Sequence, residues 1–144
     1  MRKGLIAAGV AAAFLAAAFA AGAANDAGTT KLHANLRGSN ENAPASNRGK
    51  TEIRLTPSTG RVCWETTITK IDGKPNASHI HKGRQGVSGN VVVPLGAGYK
   101  RQGCTTAAKA LVRAIVRNPG AYYVNVHNAK HPAGAMRGQL TRGT

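Results

Sequence analysis

Acidic residues are scarce in this 144-residue chain, with five against 20 lysines and arginines. No two of them cluster along the sequence: Asp26, Glu41, Glu52, Glu65 and Asp72. Glycoside hydrolysis uses a pair of carboxylates flanking the scissile bond, and this scarcity gives such mechanisms little support. A G-x-S-x-G nucleophile motif and the Walker and dinucleotide fingerprints are also absent. The sequence therefore predicts a protein that is not an enzyme.

Aromatic residues make up only 4% of the chain, so there are few side chains on which nucleic-acid bases could stack. The formal net charge is +15, and removal of Arg2 and Lys3 with an N-terminal targeting segment would leave +13. Such a charge favours polyanionic components of the cell envelope, bound electrostatically and largely without specificity. An extracellular protein is another candidate partner, and a basic solvated surface without a partner is the plain alternative. No specific nucleic-acid partner is expected.

The N-terminus has the pattern of a secretory signal peptide, assigned to residues 1–23. Arg2 and Lys3 precede an alanine-rich run over 5–24 without charge or proline, which ends in two A-x-A cleavage patterns. An uncleaved membrane anchor is the alternative, but the run is only weakly lipophilic. Cleavage would leave a polar lead (24–30) and no transmembrane span. The protein is therefore expected to be secreted or periplasmic.

Only two cysteines occur, Cys63 and Cys104, and neither lies in the signal peptide. An even count in an exported chain predicts one disulfide bond between them. Two buried free thiols are the alternative, which export disfavours.

The remaining sequence reads as a single β domain over 31–142. Seven short segments have strand-like composition or alternation, separated by turns: 31–36, 51–56, 61–68, 78–81, 90–95, 121–128 and 134–141. Pro94 places one of them at a sheet edge or bulge. One helix is predicted at about 106–117, capped by Thr105 or Thr106 and stopped by Asn118-Pro119-Gly120. The fold class is all-β, an antiparallel sandwich or barrel with one short helix.

The histidines are the residues best suited to chemistry. In a strand, His79 and His81 point to one face and Ile80 to the other. The same alternation places Asn125 and His127 opposite Val124 and Val126, and groups Arg137 with Gln139 in the last strand. A polar cluster of His79, His81, His127, Asn125 and Arg137 is therefore predicted if these strands are neighbours.

This cluster has two interpretations. Three neutral imidazoles could bind copper or zinc. Alternatively, the rings hydrogen-bond to backbone carbonyls or Asn125 and lie too far apart to share an ion. The second is preferred, because an arginine is expected on the same face and no carboxylate near the histidines can be identified. No cofactor is expected on this interpretation; copper or zinc is the alternative.

Several co-linear motifs resemble the CHRD domain, named from the extracellular protein chordin and also found in stand-alone exported bacterial proteins. They are Leu36-x-Gly38-x-x-Glu41, Gly60-x-Val62-Cys63-Trp64, His79-Ile80-His81-x-Gly83, Tyr122-Tyr123-Val124-Asn125-Val126-His127 and Pro132-x-Gly134-Ala135-x-Arg137-Gly138-Gln139-Leu140. The resemblance implies an immunoglobulin-like β fold and supplies no mechanism. The expected function is a non-catalytic binding or structural module outside the cytoplasm; the alternative is a copper or zinc protein using the histidines.

Overall fold

A computed structural model describes residues 28–143. The predicted signal peptide (1–23) and most of the polar lead (24–30) lie outside these residues. Among the residues described, no helix is long and apolar enough to cross a membrane.

The described chain contains eight β-strands and one α-helix. The first four strands are β1 (Thr30–Arg37), β2 (Arg48–Thr56), β3 (Arg61–Lys70) and β4 (Pro75–Lys82). Two shorter strands, the helix and two further strands follow: β5 (Val91–Pro94), β6 (Gln102–Thr106), α1 (Lys109–Arg117), β7 (Tyr122–Asn128) and β8 (Met136–Arg142). Short 3-10 turns cover Gly38–Asn40 and Pro119–Ala121.

All eight strands belong to one antiparallel sheet, in the order β5-β4-β7-β8-β1-β2-β3-β6. The sheet curls into a half-barrel, so the predicted all-β class is confirmed. Pro94 ends β5, which is an edge strand, as the missing amide hydrogen of proline requires.

The core lies inside the curl and follows from period-2 alternation along the strands. Each of β1, β2, β7 and β8 contributes every second side chain to it, and α1 adds Val112 and Ile115. The inward residues of those strands are buried together: Leu32, Ala34, Leu36, Ile53, Leu55, Val124, Val126, Met136 and Leu140. The opposite, outer face carries the polar residues of the same strands, including the histidines.

The prediction was wrong on the start of the helix. Thr105 and Thr106 belong to β6, and α1 begins at Lys109 without a side-chain cap. Strand β6 was missed because its sequence, QGCTT, has no apolar alternation. Its place is fixed by pairing with β3 and by Gly103, where a Cβ would lie 2.7 Å from the ring of Trp64. Tertiary contacts outweigh the local helical pattern here.

The predicted disulfide is confirmed. Cys63 and Cys104 face each other in the β3–β6 pair, with their Cα atoms 4.0 Å apart and their sulfurs bonded. The bond ties the edge strand β6 to the sheet.

Candidate metal centre

Antiparallel pairing of β4, β7 and β8 assembles the polar cluster on the outer face of the sheet. His79 pairs with Asn125, and Asn125 pairs with Arg137 on its other side. Two residues further along β7, His127 pairs with Ala77 in the same register. His127 is thereby a diagonal neighbour of His79. These pairings bring the strand positions of the predicted cluster next to one another.

The three histidines converge. One ring nitrogen from each of His79, His81 and His127 lies within 4.8 Å of the others. The ring centroids of His79 and His127 are 5.0 Å apart, and that of His81 lies 5.7 and 5.9 Å from the other two. The expectation that these rings would lie too far apart to share an ion is therefore wrong. Strand adjacency and diagonal pairing bring the three rings close together on the outer face.

Hydrogen bonds orient two of the rings. Nδ1 of His81 lies 2.9 Å from the carbonyl oxygen of Gly89, and Nδ1 of His127 lies 3.0 Å from that of Pro132. A carbonyl can only accept, so each Nδ1 carries the hydrogen and each neutral ring presents the lone pair of Nε2. Metal-bound histidines generally use such a second hydrogen bond to fix the tautomer.

The nitrogens that remain are buried and unpaired. Within residues 28–143, Nδ1 of His79 and Nε2 of His81 and His127 have no hydrogen-bond partner. A buried polar atom without a partner costs about 1–3 kcal/mol. Each of the three converging rings therefore has a nitrogen that is free to act as a metal ligand.

Burial favours the neutral form of His79 and His81. Desolvation, and secondarily the proximity of His127 and His81, lowers the pKa of His79 below its usual value. Desolvation also lowers the pKa of His81. The hydrogen bond that its Nδ1 donates to the Gly89 carbonyl opposes this effect, and the nearby His127 and Arg137 add to it. Neutral imidazole is the form that binds a metal. Both rings therefore stay available at and somewhat below neutral pH.

These lowered pKa values predict that the metal-free protein loses stability in mild acid. The unfolded chain, with histidine pKa near 6.5, binds protons more readily than the folded chain. The free energy of unfolding should thus fall as the pH drops below about 6.5, through the folded pKa values. Chemical denaturation at pH 7.5 and 5.5 measures it. His79→Gln should show a smaller fall than the wild type; an equal fall in both would contradict this origin.

A stack of three side chains holds His81 in place. Its ring lies flat against that of Tyr123, with centroids 4.8 Å apart and planes inclined by 11°. The guanidinium carbon of Arg137 lies 3.9 Å from the centroid of the Tyr123 ring. The hydroxyl of Tyr123 accepts a hydrogen bond from the amide of Gly89, whose carbonyl holds His81. The His81 ring is therefore positioned from two directions.

A carboxylate does reach this face, contrary to the expectation. Oε1 of Glu41 accepts a hydrogen bond from Asn125 at 3.2 Å and lies 3.7 Å from Nε of Arg137. Desolvation raises the pKa of Glu41, although Arg137 partly offsets the effect. Glu41 follows the turn Gly38–Asn40, far from the histidines in sequence. Its presence in the Leu36-x-Gly38-x-x-Glu41 motif was the only available signal.

Arg137 makes its polar contacts with groups other than the three histidines. Besides Glu41, its Nη2 donates to the carbonyls of Arg84 and Val87, at 3.4 and 3.2 Å. The side chain thereby anchors the loop that also supplies Gly89. Glu41 partly offsets the positive charge of Arg137, which still lowers the pKa of His81.

Comparison with known proteins supports the assignment that the motifs suggested. A family model described as the CHRD domain matches residues 32–140, about three quarters of the chain. No curated protein and no solved structure matches significantly. The matched region includes all three histidines, Glu41, Arg137 and both cysteines. The chain belongs to the CHRD domain family.

Proposed function

We propose that this protein is an exported, non-catalytic module that binds one copper or zinc ion through His79, His81 and His127. CHRD domains occur in extracellular proteins and are generally non-enzymatic modules, and the disulfide is consistent with secretion. The observation that carries the metal proposal is the convergence of the three histidines, each of which has one buried ring nitrogen without a hydrogen-bond partner among the described residues.

The donor set favours a borderline d-block ion over calcium or magnesium. The cluster offers three neutral imidazoles, whereas calcium and magnesium require oxygen ligands. Imidazole suits copper and zinc, and affinity of a given site rises to Cu²⁺ and falls at Zn²⁺. Cu²⁺ is therefore expected to bind more tightly than Zn²⁺.

The rings need a small inward adjustment to coordinate. A zinc–nitrogen bond of about 2.0–2.1 Å implies ligand nitrogens roughly 3.4 Å apart in a tetrahedral site. In the structure the ligand nitrogens are up to 4.8 Å apart, which is wider than the separation in a tetrahedral site. His79 has no partner on its buried Nδ1 and can move most freely, whereas His81 and His127 are tied to carbonyls. Three protein ligands leave a fourth position for water.

Calorimetric titration of the metal-stripped mature protein tests the proposal. One-to-one binding is expected, tighter for Cu²⁺ than for Zn²⁺. His81→Ala removes one of three ligands and should weaken binding by at least about 100-fold, the upper range for loss of a supporting group. His33→Ala is the matched control, because this histidine lies on β1 outside the cluster. It should bind as the wild type does.

The competing role is purely structural, because His81 and His127 also tie the loops at Gly89 and Pro132 to the sheet. In that case the protein would bind neither ion, and His81→Ala would lower only the melting temperature. Equal weakening by His81→Ala and His33→Ala would indicate binding without a defined site. Either result would overturn the metal proposal.

A further inference from the structure

A row of like charges crosses the outer face of the sheet beyond the histidines. Arg37 of β1 pairs with Arg48 of β2, and Arg48 pairs with Lys70 of β3. The next row places Asn35, Lys50 and Thr67 opposite one another. Like charges directly opposite on neighbouring strands destabilise a sheet. Arg37, Arg48, Lys50 and Lys70, all exposed, are called the basic track.

Within residues 28–143 the acids are engaged elsewhere. Glu41 lies against Arg137, Glu65 against Arg101 and Asp72 against Lys130. Glu52 contacts Lys31 and Arg54. Across the part of the chain that is described, no ion pair reaches the basic track.

The surface at the basic track is polar and contains grooves. A groove of about 250 Å³ runs between the strands, lined by Asn35, Arg37, Arg48, Lys50 and Thr67 among others. A second groove of about 460 Å³ shares Asn35 and Lys50 with the first and continues towards Thr141 at the end of β8. Together they form a continuous depression whose cations are flanked by hydroxyl and amide groups.

We infer that the basic track binds a polyanionic polysaccharide, carrying sulfate or carboxylate groups, laid along this depression. The cations neutralise the anionic groups, and Asn35, Thr67 and Thr69 offer hydrogen bonds to sugar hydroxyls. Nucleic acid fits less well, because the tryptophan and Tyr122 and Tyr123 are buried and no tryptophan, tyrosine or phenylalanine lines either groove. A membrane surface fits less well, because the described exposed large apolar residues, Val87 and Val91, lie outside the track.

Binding of a size-defined heparin oligosaccharide at about 0.15 M salt, where the Debye length is near 8 Å, tests the inference. The paired variant Arg37→Gln/Arg48→Gln removes two charges from the track. Arg113→Gln/Arg117→Gln removes two exposed charges from α1 and is the matched control. The track variant should weaken binding at least about tenfold, about 1.4 kcal/mol, and the control no more than about threefold. A second track variant, Lys50→Gln/Lys70→Gln, should act in the same direction.

Two outcomes would overturn the inference. Equal losses in the track and control variants would mean that net charge alone governs binding. Single-stranded DNA or phosphatidylserine vesicles binding as tightly as heparin, with the same dependence on the track, would replace the polysaccharide by another polyanion. Removal of like-charge repulsion should not lower the melting temperature. If Arg37→Gln/Arg48→Gln nevertheless melts at a lower temperature, the comparison with the control is made with Lys50→Gln/Lys70→Gln instead. The metal proposal is independent of all these results.

Discussion

Removing the Cys63–Cys104 bond is expected to lower the free energy of unfolding by about 4 kcal/mol, the chain-entropy value for a loop of this length. The two cysteines are 41 positions apart, so the bond removes many conformations from the unfolded chain. The bond also joins the edge strand β6 to β3, and β6 has no other strand beside it. Loss of the bond should therefore expose the amides of β6 before the rest of the sheet.

The measurement compares urea unfolding of the oxidised wild type, the reduced wild type and Cys63→Ala/Cys104→Ala. The reduced and substituted proteins should agree closely, because the reduced protein lacks only the bond and the substituted protein lacks, in addition, only the two sulfur atoms. Hydrogen exchange should be fastest in β6 in both. Unchanged unfolding on reduction, or free thiols in the unfolded and unreduced protein, would contradict the predicted role.

Local patterns were enough to predict most strands but not those that tertiary contacts define. The alternation in β4, β7 and β8 gave the correct inward and outward faces, since Ile80, Val124 and Leu140 are buried in the core. Strand β6 has no such alternation, and Cys104 is the one residue in it that signalled a long-range contact. The capping threonines were misplaced because Thr105 and Thr106 pair with β3 before the helix begins.

The sequence predicted which residues belong to the candidate site, but not how far apart they lie. Period-2 alternation placed His79, His81 and His127 on one face, whereas their separation depends on which strands are neighbours and in what register. The register of β4 against β7, which makes His127 a diagonal neighbour of His79, has no local sequence signature. Glu41 was missed for a related reason, because it enters from a loop more than 80 residues before Asn125.

Loss of Arg137 is expected to destabilise the protein by about 3–5 kcal/mol, the range for removing one partner of a buried ion pair. Only 5% of the Arg137 side chain and 13% of the Glu41 side chain are exposed. Arg137→Met keeps most of the buried volume but leaves the Glu41 carboxylate uncompensated. It also removes the hydrogen bonds to Arg84 and Val87 and the contact with the ring of Tyr123.

A double-mutant cycle with Glu41→Gln separates the charge from the other contacts. Glutamine keeps an oxygen for Asn125 but carries no charge, so Glu41→Gln/Arg137→Met should be more stable than Arg137→Met alone.

The stability of Arg137→Met should also depend on pH in a distinctive way. The pKa of Glu41 is already raised by desolvation, and without Arg137 it should rise further. The variant's deficit relative to the double variant is then greatest above that raised folded pKa. It should shrink as the pH falls through that pKa towards about 4.5, the usual glutamate range. If the double variant were as unstable as Arg137→Met at every pH, the loss would belong to the loop and Tyr123 contacts, and the buried charge would contribute nothing.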